Sequence, residues 1–286
     1  MIDISAVVPT YNSERTIQEC LASLETNNAK EIIVVDGGST DRTCELASRF
    51  ARTRTIRRTG TATKAREVGW REATCELVLF IDSDAYLQHP DALELLSKYF
   101  SAPQIAGVSC RVACANPEKL LPRLRDIDFR LSYPKDFARK GITECIANPI
   151  LCGLFRQEAL KVIHGFDSAY DTDRWYAEDL YLLHKLRLKG YRVVTVYHPA
   201  AFHYHREDIR DVCAQFYHHG LGRRMVMKET DSNFYRKKNM NELFKRLTSA
   251  QMRSRDFLIY PGYRGIMEAA FLMGYTTAGI QKRATN

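Results

Sequence analysis

The sequence lacks the marks of several common protein classes. Its eight cysteines are scattered and none forms a CxxC pair, which argues against a zinc ribbon, and a chain this long needs no disulfide framework. It has no repeat at solenoid periods and no long polar run. No basic start and no cleavable apolar segment precede the apolar residues 4–8, so we expect the reducing cytosol rather than secretion.

The C-terminal part lacks a long uncharged segment but is rich in basic and apolar residues. Its longest uncharged stretch covers residues 269–281, short of the ~20 residues that a spanning helix requires. Residues 206–286 carry 15 Lys and Arg against 8 Asp and Glu, whereas residues 1–205 carry 27 against 26. We expect helices that rest on an anionic membrane surface, at the cytoplasmic face of the cell membrane. A packed lid and a dimer surface are the alternatives.

The 286 residues, 45% of them hydrophobic, show the alternation of an α/β fold. Apolar runs of strand length at 4–8, 31–35 and 77–81 are separated by helical patterns that begin near Asn12, Ser39 and Pro90. This order predicts βαβ units and a mainly parallel, twisted sheet flanked by helices. Further predictions are strands over 105–113, 146–155 and 192–197, helices over 117–131 and 178–189, and C-terminal helices broken at Pro261.

The pattern predicts two parts. Residues 1–205 would form the α/β domain, with a ligand-binding half at 1–100 and a second half at 101–205. Residues 206–286 would form a basic helical extension.

Polar residues follow three of the predicted strands, where ligands bind in open α/β sheets. They are Pro9-Thr10-Tyr11-Asn12, the segment 36–41 (Asp-Gly-Gly-Ser-Thr-Asp) and Asp82-Ser83-Asp84. Each could be a set of turn formers and helix caps. Three such clusters on neighbouring strand ends favour a binding site.

Asp82-Ser83-Asp84 is the most informative of these clusters. A buried strand delivers two carboxylates to one rim, and their repulsion costs free energy unless a cation shares them. Mg²⁺ and Mn²⁺ prefer few carboxylates together with the oxygens of a diphosphate. The spacing therefore predicts a divalent metal site.

Taken in order, these motifs resemble family 2 glycosyltransferases of the GT-A fold. The segments Val7–Asn12, Glu31–Asp41, Asp82–Asp84, Gly153–Asp167 and Glu178-Asp179 follow that family's order and approximate spacing over residues 3–225. The resemblance implies transfer of one sugar from a nucleotide-diphosphate sugar, UDP-linked by preference, to a hydroxyl of a glycan or lipid-linked acceptor. It also implies a metal-dependent single displacement with inversion.

The resemblance assigns roles residue by residue. Asp179 would be the general base and Asp84 a metal ligand, while Gly153, Trp175 and Glu178 would lie on the acceptor side. The donor would be bound by Pro9, Thr10, Tyr11, Asn12, Glu14, Asp36, Gly38, Lys64, Arg66, Asp82 and Ser83. Of these, Tyr11 would pack on the base, Asp36 would accept a hydrogen bond from it, and Lys64 and Arg66 would lie near the diphosphate. For Lys64 and Arg66, a solvated helix face is the alternative.

His203 and His205 are the remaining metal-ligand candidates. They are separated by one residue, so in an extended chain both point the same way. The resemblance implies a histidine at about this place in the metal site, and a neutral imidazole suits Mn²⁺. We prefer His203, and a loop histidine bonded to the backbone is the alternative.

Two other functions compete with sugar transfer. A nucleotidyltransferase acting on sugar phosphates would show a Gly-rich basic loop after the first strand, and an oxidoreductase would show GxGxxG there. Residues 10–14 are instead Thr-Tyr-Asn-Ser-Glu. A nucleic-acid-binding protein would explain the basic tail but gives Asp36, Asp82, Asp84 and Asp179 no role, so we expect no nucleic acid partner.

Overall fold

A computed structural model describes residues 3–145, 149–166, 177–230 and 253–281. The chain divides into two compact units. The first contains residues 1–113 and 135–204, and the second contains residues 114–134 and 205–286. Residues 114–134 therefore group with the C-terminal helices, although the sequence places them in the α/β domain. The predicted boundary at 205 otherwise lies next to the observed one.

The first unit is built on a nine-stranded sheet. Its strands are β1 (Ile4–Thr10), β2 (Glu31–Asp36), β3 (Thr53–Arg57), β4 (Leu77–Ile81), β5 (Ala85–Leu87), β6 (Ile105–Cys114), β7 (Ile142–Glu144), β8 (Cys152–Arg156) and β9 (Arg192–His203). Their order is β3-β2-β1-β4-β8-β6-β9-β5, and β7 pairs with β9. The predicted α/β sheet with parallel strands is confirmed from β3 to β4. Beyond β4 it turns antiparallel, because β8 runs against both β4 and β6.

In the part of the chain that the structure describes, the first unit has seven helices that flank this sheet. They are α1 (Ile17–Thr26), α2 (Thr43–Ala47), α3 (Ala62–Glu72), α4 (Ala92–Ser97), α6 (Phe137–Lys140), α7 (Gln157–Val162) and α8 (Glu178–Leu188). The second unit holds α5 (Leu120–Ser132), α9 (Ile209–Thr230) and α10 (Ser254–Gln281).

The central strands form the core of the first unit. Every residue of β1 and β4 is buried, as the continuous apolar runs predict for strands covered on both faces. Helix α3 lies very close to β1: a Cβ added at Gly69 would be 2.2 Å from Cγ1 of Val7. The absence of a side chain at position 69 therefore sets how closely α3 approaches the sheet.

Several predicted element bounds need correction. Helix α2 begins at Thr43 rather than at Ser39 or Thr40, because the preceding residues form a loop around Asp36. Strand β8 begins at Cys152 rather than at 146, and residues 149–151 form a turn before it. A Cβ at Gly153 would lie 1.9 Å from the Pro149 carbonyl oxygen, so only glycine fits beneath that turn.

The second unit has its own apolar core. Side chains of α5, α9 and α10 pack together there: Leu124, Ile127, Leu131, Val212, Phe216, Tyr260, Tyr263, Met267 and Ala270. Asp128 lies beside it and accepts hydrogen bonds from the hydroxyls of Tyr260 (2.6 Å) and Tyr263 (3.1 Å). Burial raises the pKa of both tyrosines, so each remains a donor to this carboxylate.

Helices α9 and α10 cross at two glycines. A Cβ at Gly220 would lie 2.0 Å from the Phe271 carbonyl oxygen, and one at Gly274 would lie 1.9 Å from that of Tyr217. The predicted break at Pro261 is wrong, because α10 continues through this residue. None of the helices in the described ranges is long and apolar enough to span a membrane.

Candidate active site

The ends of β1 and β2 form one wall of the site. Thr10 and Asp36 are paired across the two strands, and the amide of Gly37 donates to the Thr10 carbonyl oxygen at 2.8 Å. Both Pro9 and Thr10 are buried, so they shape the rim through the backbone. Tyr11 stands outside it with 64% of its surface exposed, which leaves its ring available for stacking.

The carboxylate of Asp36 is fully buried beneath the following loop. It accepts hydrogen bonds from the amides of Gly38 (3.2 Å) and Ser39 (3.0 Å), and Nε of Arg57 lies 3.4 Å away. Burial alone would raise the pKa of Asp36, but the hydrogen bonds from Ser39 outweigh it and hold the pKa below its ordinary value. In this conformation Asp36 organises the loop, and its predicted hydrogen bond to a base stays a prediction.

Gly38 has a backbone conformation that favours glycine. Its φ is +103°, and a Cβ there would lie 3.2 Å from Cγ2 of Thr59. Gly38 therefore allows the conformation of the loop after β2, and this is how it would contribute to the predicted donor site.

The loops after β1 and β2 are joined side by side. The amide of Asn12 donates to Oγ of Ser39 at 2.9 Å, and Oδ1 of Asn12 accepts from the Thr40 amide at 2.9 Å. Glu14 accepts from the Arg42 amide at 3.2 Å through Oε2. Asn12 and Glu14 therefore hold the two loops as one surface.

The residues after β4 lie beside this surface. Oγ of Ser83 is 2.9 Å from Oγ of Ser13, which links the segment after β4 to the loop after β1. The amide of Asp82 donates to the Leu151 carbonyl oxygen at 3.0 Å. Asp84 precedes β5, which pairs with β9 so that Ala85 is opposite His203.

Asp82, Asp84 and His203 form a group that could hold a metal ion. One ligand atom of each lies within 4.8 Å of the other two, and Oδ1 of Asp84 is 3.2 Å from Nε2 of His203. The Asp84 side chain is 45% exposed, which leaves room for water or a ligand oxygen. The two carboxylates suit Mn²⁺ or Mg²⁺, and the imidazole favours Mn²⁺, because Mg²⁺ prefers oxygen ligands.

The charges of this group also favour a cation. Burial raises the pKa of Asp82 and the nearby Asp84 carboxylate adds to the rise, while Arg66 opposes it. A cation between the two carboxylates would remove this repulsion.

The structure brings one of the two predicted histidines to this group. Strand β9 ends at His203, so the alternation that would point both imidazoles the same way does not extend to His205. The ring of His205 is buried in the second unit and stacks on Phe129, with centroids 5.3 Å apart. His205 therefore drops out of the candidate metal group.

Lys64 and Arg66 differ in their surroundings, although both lie on α3. Lys64 is half-buried in the first turn, where Oγ1 of Thr61 caps the helix by accepting from the Lys64 amide. Arg66 is only 4% exposed. It donates to Oδ1 of Asp82 at 2.5 Å and to Oε1 of Glu178 at 2.9 Å. Its guanidinium is therefore enclosed between two carboxylates, and its predicted place near the diphosphate stays a prediction.

Glu178 and Asp179 open helix α8, where the helix dipole favours negative charge. Burial raises the pKa of Glu178 to about 7; Arg66 opposes this rise, and Asp179 adds to it. Glu178 thus contacts Arg66, and Asp179, the predicted base, is half-buried beside it. Gly153 is buried in β8, and Trp175 lies outside the described residues.

Sequence reasoning missed the contacts that support the site. Glu67 accepts hydrogen bonds from Nε1 of Trp70 (2.6 Å) and from the Phe166 amide (2.9 Å). Arg57 pairs with Asp36 from β3, a strand that no apolar run indicates. The Gly165-Phe166 match to the family was the one available signal near Glu67.

The model of glycosyl transferase family 2 matches residues 5–163. The chain belongs to this family. This glycosyltransferase family member is 25% identical over 235 residues to the O-antigen chain rhamnosyltransferase RfbN of Salmonella typhimurium, covering 76% of the chain and 71% of the relative. It is 25% identical over 209 residues to the poly-beta-1,6-N-acetyl-D-glucosamine synthase of Staphylococcus epidermidis. That match covers 69% of the chain but 48% of the synthase, so the chain spans about half of that relative's length.

Solved structures share the fold of this family 2 member. A mannosyltransferase from Pyrobaculum calidifontis, solved with GDP-Man and Mn²⁺, has a TM-score of 0.66 at 19% identity. The match covers 97% of this chain and 89% of that chain. Glucosyl-3-phosphoglycerate synthase from Mycobacterium tuberculosis, solved with Mg²⁺ and UDP, has a TM-score of 0.54 at 20% identity, with 80% of each chain covered. The fold is GT-A.

Proposed function

We propose that the protein transfers one sugar from a nucleotide-diphosphate sugar to a hydroxyl of a glycan or lipid-linked acceptor. The observation that carries the proposal is the group of Asp82, Asp84 and His203 beside the joined loops at the ends of β1 and β2. This combination provides a place for a divalent cation next to a surface for a nucleotide. Family membership and the names of the relatives support the sugar and the acceptor class.

The metal would be Mn²⁺ or Mg²⁺, held by Asp84 and His203 with Asp82 beside them. When bound, it would neutralise charge on a diphosphate as the bond to the sugar breaks. Lys64 is proposed to add positive charge near the diphosphate from the first turn of α3. The exposed ring of Tyr11 would stack on the base, and we prefer UDP as the nucleotide.

Asp179 is the proposed base. It lies next to Glu178, which is held to Arg66, so the start of α8 has a fixed place relative to the candidate metal group. Its carboxylate would take the proton of the acceptor hydroxyl as that oxygen attacks the anomeric carbon. One displacement of this kind inverts the carbon and requires no nucleophile from the enzyme.

We also propose that α10 rests on the cytoplasmic membrane surface. This helix exposes apolar side chains, above all Leu258 (79% exposed), with Ile266 and Met273 further along. Exposed Arg253 and Arg255 lie at its start, where they would meet anionic lipid headgroups.

Flotation with vesicles containing anionic lipid tests this membrane contact. We expect Leu258→Ser with Met273→Ser to reduce binding, while Leu188→Ser, at an exposed leucine of the first unit, leaves it unchanged. Equal flotation of all three proteins, or none by the wild type, would contradict the membrane proposal.

Calorimetric titration of UDP, GDP and dTDP, with and without Mn²⁺, tests the proposed reaction. We expect one nucleotide to bind in a manner that requires both Mn²⁺ and Asp84, so that Asp84→Ala abolishes the metal-dependent part. Asp91→Asn, at an exposed carboxylate outside the metal group, is the matched control and should bind as the wild type does. If no nucleotide shows metal-dependent binding to the wild type, the proposed function is refuted.

A further inference from the structure

A buried guanidinium connects two parts of the candidate site. Arg66 donates from Nη2 to Asp82 and from Nη1 to Glu178, so each carboxylate has its own nitrogen. A buried charge is costly unless it is paired and hydrogen-bonded, and the two acidic side chains meet that requirement for the two terminal nitrogens of the guanidinium, while its Nε is buried without a hydrogen-bond partner. The two partners are 16 and 112 positions away in sequence, so the arrangement depends on the tertiary fold.

The two carboxylates belong to different halves of the proposed reaction. Asp82 follows β4 and is part of the metal group. Glu178 is the first residue of α8 and precedes the proposed base, Asp179. Arg66 therefore joins the donor side to the acceptor side through one side chain.

The neighbouring residue strengthens this connection. Glu67 accepts from the Phe166 amide, and Nζ of Lys185 on α8 donates to the Gly165 carbonyl oxygen at 2.9 Å. Helix α3 is thus linked to α8 by a second route that does not involve Arg66. Loss of Arg66 would release the start of α8 while the last turn of that helix stays attached through Lys185.

We propose that Arg66 is a positioning residue that fixes the proposed base relative to the metal group, an inference that rests on the proposed function. Its fork holds Oδ1 of Asp82 and Oε1 of Glu178 at the same time, which fixes the start of α8, and the neighbouring Asp179 with it, relative to Asp82. Lysine has three N–H donors on a single nitrogen and lacks the planar fork, so it does not reproduce the spacing of these two bonds. Arg66 thus affects turnover, whereas Lys64 affects nucleotide affinity.

Paired measurements on Arg66→Lys separate this role from direct diphosphate binding. The first is Mn²⁺-dependent affinity for UDP or GDP by calorimetry. The second is the maximal rate of nucleotide release from UDP-N-acetylglucosamine, UDP-glucose or GDP-mannose, with water as the acceptor. We expect Arg66→Lys to keep the wild-type affinity and to lose about 100-fold in rate, as Asp179→Asn should, because a displacement of about 1 Å has that effect.

Lys64→Met is the matched control on the same helix. It should weaken nucleotide binding, which shows that the calorimetry detects loss of a diphosphate contact. If Arg66→Lys weakens nucleotide binding as Lys64→Met does, or retains the wild-type rate, the positioning role is refuted. Absence of metal-dependent binding by the wild type would instead refute the proposed function.

A double variant keeps the test valid if loss of Arg66 prevents folding. Arg66→Met with Glu178→Gln removes the guanidinium and the charge of one partner together, which spares the protein one buried unpaired charge. Circular dichroism checks its fold. We expect a folded protein that binds nucleotide with Mn²⁺ and remains about 100-fold slow. A wild-type rate in this variant would overturn the inference.

Discussion

Glu178 should make the stability of the first unit depend on pH. Burial raises its pKa to about 7, against an ordinary value of 4.5. Because the folded protein holds this proton more tightly than the unfolded chain, the resulting stability is complete below pH 4.5 and is lost as the pH rises through 7. At about 1.36 kcal/mol per pKa unit, the loss is on the order of 3 kcal/mol, and most of it falls between pH 5 and pH 8.

Urea unfolding of the wild type and Glu178→Gln, in EDTA at several values from pH 5 to pH 8, measures this effect. Tryptophan fluorescence is the signal, because Trp70 is buried in the core of the first unit. As the pH rises from 5 to 8, we expect the free energy of unfolding to fall in the wild type by about 2–3 kcal/mol more than in the variant. If the free energies of unfolding of the two proteins change equally with pH, the pH dependence does not come from Glu178 and this prediction is refuted.

Glu45→Gln is the control for this experiment. Hydrogen bonds from Arg42 and Arg49 lower the pKa of Glu45 to about 2, so this carboxylate stays ionised throughout the range. The free energy of unfolding of Glu45→Gln should therefore change with pH as that of the wild type does from pH 5 to pH 8.

The second unit yields two further predictions. Gly274→Ala should lower the free energy of unfolding by about 1–3 kcal/mol, because its Cβ would meet the Tyr217 carbonyl oxygen. Gly262→Ala, whose Cβ has open space, should raise the free energy of unfolding by up to about 1 kcal/mol. Equal midpoints of the two variants in thermal melts would contradict this prediction. Burial lowers the pKa of His219 to about 3, so stability should fall as the pH drops below 6.5, by about 2 kcal/mol at pH 5. Acid titration of His219→Gln should show less of this fall, and an equal fall would refute the assignment.

The sequence predicted the metal group because its parts follow a local rule. Carboxylates that follow a buried parallel strand must appear at the sheet rim, and Asp82 and Asp84 do. His203 joins them because β9 pairs with β5 directly after Asp84. No sequence rule gave the end of β9, so the sequence could not exclude His205.

The contacts of Arg66 were beyond sequence reasoning for a different reason. The resemblance to the family places Arg66 near the diphosphate, whereas its burial depends on partners far along the chain. Strand β3 was missed because its exposed positions carry arginine and threonine and it has no apolar run. The sequence predicts a helix break at Pro261. Packing of Tyr260, Tyr263 and Met267 offsets the cost of about 3 kcal/mol that a proline inside a helix carries.

Position 69 shows how a residue without chemistry can determine whether an enzyme works. Gly69 lies on α3 three residues after Arg66 and rests against Val7 of β1. Any larger residue would lift the helix and carry the guanidinium away from Asp82. We therefore expect a homologue with every polar motif intact but alanine at this position to have a displaced Arg66 and a lower activity. The size of the residue at position 69 should therefore be considered, together with the polar motifs, when active family members are distinguished from inactive ones.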